Sequence, residues 1–316
     1  MFTQKTLHEK WSKYLPELTK EPDFEKFWQK QLAKNKVHPL TPILTEYPFP
    51  VKNIKIYDIT IEAHDKTVIH GWYVVPETTE KVPCVVKYHG FGGSRGAPQH
   101  HLSYAAMGLA VVAFDCRDQA GKTGSNANWS NGSRSSIVSQ GILKPENYYT
   151  NHLYLDAIRA LDFASSREEI DQSRVAIMGG SQGGALVSAM AALDDRPTIA
   201  IGAVPSNSNI TDRVMKENGS FSSVSNYLRK HPNQIEQCLK TLSYFDTMNM
   251  ADKITCPYLA GVAGKDPICP AEMFYATYNR LQHEKHIEIY PFNGHEGGGE
   301  IFEEVAIKFI AEKFNL

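Results

Sequence analysis

Residues 174–187 read Arg-Val-Ala-Ile-Met-Gly-Gly-Ser-Gln-Gly-Gly-Ala-Leu-Val. The embedded Gly-x-Ser-x-Gly, Gly179 to Gly183, presents Ser181 as a nucleophile if a strand enters it and a helix leaves it. Both are legible in the residues. A short β-type run, Arg174–Met178, leads straight in, and an Ala-rich stretch, Gly183–Leu193, leads straight out. The chain must double back tightly at such a turn, so small residues are needed on either side of the serine. The N–H of Gln182 then lies at a helix N-terminus, aimed at the point where an oxyanion would form. Without the strand and the helix, the pattern would be a glycine-rich turn with an incidental serine.

A serine hydroxyl needs a base held in place by a third group, and in folds of this kind the chain order is serine, acid, histidine. Of the later histidines, His295 stands in Phe292-Asn293-Gly294-His295-Glu296, just past a β-type run, His286–Tyr290. Loops at the carboxyl ends of parallel strands are where catalytic groups collect. His283 and His286 precede or begin that strand, and His231 lies in a polar stretch, so His295 is the candidate base. Asp266, in Gly264-Lys265-Asp266-Pro267, follows the run Tyr258–Gly264 and is the candidate orienting acid; Asp246 and Asp252 follow no strand. Glu296 points away from the base and stabilises its loop. A second oxyanion donor belongs in the loop after an early strand. Here that loop is His89-Gly90-Phe91-Gly92-Gly93, with the Phe91 N–H as the candidate. No Walker or Rossmann spacing supports a phosphate cradle instead. No histidine pair has metal-ligand spacing, so neither a metal nor any other cofactor is expected.

Elements able to position these residues follow in order. Runs Ile54–Ile61 and Val68–Val75 suggest a hairpin turning at His64-Asp65-Lys66. Cys84–Tyr88 and Ala110–Phe114 read as strands buried on both faces. Residues 150–164 carry helical spacing, Thr198–Val204 and Tyr258–Val262 read as strands, and Glu303–Phe314 as a closing helix. This alternation predicts an α/β fold of the α/β-hydrolase type, with a mainly parallel sheet flanked by helices. Residues 1–47 look helical and polar, an N-terminal arm packed on the core. Residues 48–316 then form one α/β-hydrolase domain, with insertions at about 118–148 and 205–250 that are too long for ordinary connections.

Composition is that of a globular protein: 316 residues, 42% hydrophobic and 22% charged, with a formal net charge of −2. Such a balance gives no electrostatic reason to expect nucleic acid or an anionic membrane as a partner. The five cysteines are scattered and odd in number, which argues against a disulfide framework. With no apolar leader and no run near the roughly 20 apolar residues of a membrane span, a cytoplasmic location is expected.

Further motifs give the chain a family resemblance. Arg117-Asp118-Gln119, the Gly-x-Ser-Gln-Gly elbow and His295-Glu296 resemble the marks of the acetyl xylan esterase / cephalosporin C deacetylase family. The similarity also takes in Asp23-Phe24-x-x-Phe27-Trp28, Lys87-Tyr88-His89-Gly90, Gly141-Ile142-Leu143, residues 154–161 and residues 241–246. It implies hydrolysis of small acyl esters, chiefly acetyl, of carbohydrates or cephalosporin-type alcohols, by a homo-oligomer that is commonly a hexamer. Ser181, Asp266 and His295 fall on the family's triad positions, and Arg117, Gln119 and Glu296 on its structural motifs. Three positions depart from the family pattern. Asp118 replaces a glycine, Phe91 a tyrosine, and Ser206-Asn207 a bulkier, more apolar pair. If position 118 needs φ > 0, Asp tolerates it better than most residues. The changes at Phe91 and at Ser206-Asn207 bear on the pocket. Two other readings keep the fold but change the function: a peptidase or aminoacyl hydrolase, and a non-catalytic binding protein.

Overall fold

The computed structural model describes residues 3–133 and 135–316. Residues 1 and 2, at the start of the expected arm, and 134, in the first expected insertion, lie outside them.

Chain order is α1 (Gln4–Trp11), α2 (Phe24–Lys36), β1 (Ile43–Glu46), β2 (Ile54–Glu62), β3 (Val68–Pro76), β4 (Val82–Tyr88), α3 (Leu102–Ala106) and β5 (Ala110–Phe114). After α4 (Tyr149–Ser165) come β6 (Ile170–Gly180), α5 (Gln182–Leu193), β7 (Ile199–Ala203), α6 (Ile210–Met215), α7 (Ser222–Lys230) and α8 (Ile235–Ser243). The chain closes with β8 (Tyr258–Ala263), α9 (Ala271–Tyr278), β9 (Lys285–Tyr290) and α10 (Glu300–Phe314).

The strands form one sheet in the order β1-β2-β3-β5-β4-β6-β7-β8-β9. β1, β2, β3 and β5 pair antiparallel in turn, and from β5 through β4 to β9 every pairing is parallel. Parallel strands need crossovers that cover both faces, and the residues of β4 show how they are shared. Cys84, Val86 and Tyr88 face the cluster built with α4, α5 and the arm, while Val85 faces the one built with α3 and α10. Such an arrangement leaves the carboxyl ends of β4 to β9 along one rim.

The arm departs from its expected helical character. Besides α1 and α2 it contains β1, which pairs antiparallel with β2. Pro39, Pro42 and Pro48 prevent a helix there, and β1 buries no residue, so no period-2 pattern announced it. α2 docks through Trp28, whose Nε1–H donates to the Tyr244 carbonyl at 3.0 Å and whose ring stacks on Tyr154 at 5.8 Å. The described residues of 118–148 form a loop with two short 3-10 turns, and α6 to α8 occupy the long connection from β7 to β8.

Candidate active site

Ser181 follows directly on β6 with φ +56° and ψ −116°, a conformation that costs a non-glycine residue on the order of 1–3 kcal/mol. The surroundings hold it there. Its N–H donates to the Ala203 carbonyl at 2.8 Å, and its own carbonyl accepts from Ala185 and Ser206 N–H, each at 3.0 Å. The flanking glycines allow this compression. A Cβ on Gly183 would lie 2.1 Å from the Tyr88 carbonyl oxygen, and one on Gly179 would lie 2.6 Å from the same atom. Here the requirement is close backbone approach rather than unusual torsion.

His295, in the loop after β9, and Asp266, just past β8, converge on this serine. His295 Nε2 lies 3.0 Å from Ser181 Oγ, and Nδ1 lies 2.9 and 3.1 Å from the two Asp266 oxygens. With the proton on Nδ1, the ring donates to the carboxylate and leaves Nε2 to accept from the serine hydroxyl. Asp266 is buried and also accepts the N–H groups of Ile268 at 2.8 Å and Cys269 at 2.9 Å. Burial works to raise its pKa, but the hydrogen bonds from His295 and the two amides outweigh that and hold it below the ordinary carboxylate value. Glu296 turns back on its own loop, accepting the Gly294 N–H at 3.0 Å. His231, His283, His286, Asp246 and Asp252 make no hydrogen bond to Ser181, Asp266 or His295 among the described residues.

The Phe91 loop is pinned from two sides. His89 Nδ1–H donates to the Gly90 carbonyl at 2.8 Å, and its Nε2 accepts the Cys116 N–H at 2.8 Å. Those two bonds fix a neutral tautomer, and burial lowers the pKa in the same sense. Gln119 supplies the second pin. Its Oε1 accepts the Gly92 N–H at 2.8 Å while its Nε2 donates to Gln182 Oε1 and to the Tyr149 hydroxyl, each at 2.9 Å. One amide thus braces the Phe91 loop against the first residue of α5. Neither the Phe91 nor the Gln182 N–H donates to a protein acceptor among the described residues.

Arg117, two residues before Gln119, is fully buried. It grips Asp156 on α4 with two bonds of 2.6 and 2.7 Å and Asp65, in the β2–β3 turn, at 2.8 Å. Between them Asp118 has φ +54°, the left-handed conformation that explains why glycine would also serve there. Ser206 and Asn207 stand in the pocket wall. Ser206 Oγ accepts from Arg213 at 2.7 Å, and Asn207 Nδ2 donates to the Tyr154 hydroxyl at 3.2 Å.

A cavity of about 290 Å³ opens on Ser181 and His295, walled by Tyr149, Leu153, Tyr154 and Ile268 and rimmed by half-exposed Phe91. Sequence reasoning missed Arg213 and Cys269 in its lining. Asp266, Cys269 and His295 bring three ligand-type atoms within 4.8 Å of one another. Both imidazole nitrogens are already engaged, by Asp266 and Ser181, so this cluster has the connectivity of a hydrogen-bonded relay.

Known proteins agree with this architecture. The profile of the family described as acetyl xylan esterase (AXE1) matches residues 3–313. The structure of an acetyl xylan esterase from Paenibacillus sp. R4 superposes with a TM-score of 0.93 at 40% identity, covering 96% of this chain and 98% of that one. Acetyl xylan esterase 1 from Thermoanaerobacterium sp. JW/SL YS485 gives a TM-score of 0.91 at 27% identity, with the same coverage of 96% and 98%. Acetyl esterase Axe7A of Xylanibacter ruminicola is 27% identical over 302 residues, which are 89% of this chain but 66% of that protein. No helix among the described residues is long and apolar enough to cross a membrane. Matched by the profile over nearly its whole length, the chain belongs to the acetyl xylan esterase family, whose members are carboxylic ester hydrolases of the α/β-hydrolase fold.

Proposed function

We propose that the protein removes small acyl groups, chiefly acetyl, from carbohydrate esters by double displacement at Ser181. The observation that carries this reading is the Asp266–His295–Ser181 chain of hydrogen bonds, at 2.9 and 3.0 Å, at the floor of the cavity. His295 Nε2 takes the serine proton as Oγ attacks the ester carbon. The tetrahedral oxyanion is held by the Gln182 and Phe91 N–H groups. Collapse expels the alcohol, protonated by His295, and leaves an acyl-serine. A water deprotonated by His295 attacks it and releases the acid and the free hydroxyl. Asp266 keeps the imidazole in the required tautomer and stabilises its protonated form. Arg117 and Gln119 position the loops that carry the donors, and Glu296 holds the His295 loop. The cavity size favours short acyl chains.

The same reading takes residues 1–47 as an arm on one hydrolase domain, 48–316, with the two insertions covering the site. Cephalosporin-type esters as further substrates, a homo-oligomeric (hexameric) assembly and a cytoplasmic location rest on the family resemblance.

Wild-type protein should hydrolyse acetyl esters of a sugar and of an aryl alcohol faster than propionyl and butyryl ones, and a fluorophosphonate should label Ser181. Ser181→Ala should lower turnover by more than about a thousandfold. Retention of more than that activity by the variant, or an unlabelled Ser181 in the active protein, rules the mechanism out.

A further inference from the structure

Double displacement at Ser181 gives Arg213 no task. This residue, on α6, is 1% exposed yet lines the cavity. One terminal nitrogen donates to Ser206 Oγ at 2.7 Å. The other donates to the Ile268 carbonyl at 2.7 Å and lies 3.5 Å from Cys269 Sγ, and the Phe221 ring centre is 4.9 Å from the guanidinium carbon. Its Nε has no hydrogen-bond partner. Arg213 forms no ion pair among the described residues. Asp246 feels its charge, but both Asp246 oxygens are taken by the N–H groups of Asn209, Ile210 and Met248. Burial pushes the Asp246 carboxyl up to about 7, against the pull of those N–H groups and of Arg213, which weakens it as a counter-charge.

A buried guanidinium with neutral partners and an idle N–H is costly, and an anion beside it offsets much of that cost. The planar fork has five N–H donors, more than these contacts use, in the geometry that suits a carboxylate. The place for such an anion is the cavity itself. Cys269 Sγ is 3.5 Å from Arg213 and 3.9 Å from Ser181 Oγ, so the cation stands one atom's width from the nucleophile. A group reaching it must lie within a few bonds of the scissile ester. Ser206, small and polar where the family resemblance places a bulkier apolar residue, leaves the guanidinium room to line the wall.

We infer that Arg213 forms a carboxylate subsite, so that the preferred substrates are small esters carrying a carboxylate a few bonds from the ester carbonyl. This rests on Ser181 acting as the esterase nucleophile. The carboxylate belongs either to the acyl part, as in a hemiester of a short dicarboxylic acid, or to the alcohol part, as in an acetylated hydroxy acid.

The test uses the full-length wild-type protein and two matched ester pairs followed by proton release. One is monoethyl succinate against ethyl succinamate; the other is O-acetyl-lactate against O-acetyl-lactamide. The expected result is a kcat/KM at least about tenfold higher for the charged member of one pair, and the pair that shows it identifies the side of the ester. Arg213→Gln should reduce that ratio to about twofold or less. No preference in either pair, or a preference that survives in Arg213→Gln, overturns the subsite. If the variant does not fold, competitive inhibition of acetate-ester hydrolysis by succinate or lactate, and not by their amides, decides for the wild type, and its absence overturns the proposal. Wild-type protein that cleaves no acetyl ester at all refutes the esterase reading instead.

Discussion

Gln119 shows how one side chain can tie two loops together beside the candidate nucleophile. Its amide holds Gly92 with the oxygen and Gln182 with the nitrogen, so the two N–H groups we propose as oxyanion donors are carried on pieces of chain joined through one side chain. Gln119→Met keeps the length and removes these two bonds together with the one to the Tyr149 hydroxyl. We expect kcat to fall about tenfold or more with KM little changed, because a misplaced donor is felt most where charge develops. A rise in KM at constant kcat would contradict this role. Ser181, Asp266 and His295 were legible in the sequence because each stands just past a strand, in a turn with its own glycine or proline signal. Arg117-Asp118-Gln119 was visible only as a likeness, and its physics appeared when Asp118 proved to have a positive φ. Arg213 gave no signal, since an arginine in a polar, patchily helical stretch looks solvated until α6 to α8 close over it.

At the scale of elements, the junction of β6, α5 and the end of β4 is the tightest feature of the site. Gly183→Ala would drive a Cβ to 2.1 Å from the Tyr88 carbonyl oxygen, which is backbone and cannot swing aside. We expect a loss of about 1–3 kcal/mol in urea unfolding, together with a loss of activity larger than the stability change explains, as the elbow shifts. Unchanged unfolding would show that the junction has slack. The sheet strands were readable from apolar runs because burial on both faces leaves a continuous signature. Three elements were not. β1 is an exposed edge with no alternation, α3 is only five residues long, and α9 is buried at every position but Glu272, so no helical period stands out in either helix.

Across the whole molecule, His64 joins the β2–β3 turn, α4 and the arm. It is buried, neither ring nitrogen has a partner, it stacks on His152 at 5.0 Å and its ring centre is 6.4 Å from that of His38. Burial, and then repulsion from His152, with Asp65 opposing and Lys34 and Arg117 reinforcing, lower its pKa from the ordinary 6.5 to about 3. The fold holds His64 neutral while the unfolded chain takes up a proton near 6.5. Its contribution to stability is therefore complete above that pH and is lost as pH falls toward about 3. The slope reaches at most about 1.4 kcal/mol per pH unit. His64→Phe keeps a ring and removes the titration, so its melting temperature should decline less steeply than the wild type's between pH 6.5 and 4. Parallel curves for the two proteins would refute the assignment.

The crowding around Gly183 separates what can drift from what cannot. Positions that make the nucleophile are locked, because an added carbon there meets main chain. Ser206 and Arg213, by contrast, stand in the connection after β7, and while the Ser206 N–H is tied to the Ser181 carbonyl, the side chains of both bond only to residues of that connection and of the loop after β8. A lineage can therefore exchange one taste in substrates for another by single changes in that connection, while the reaction itself is inherited intact.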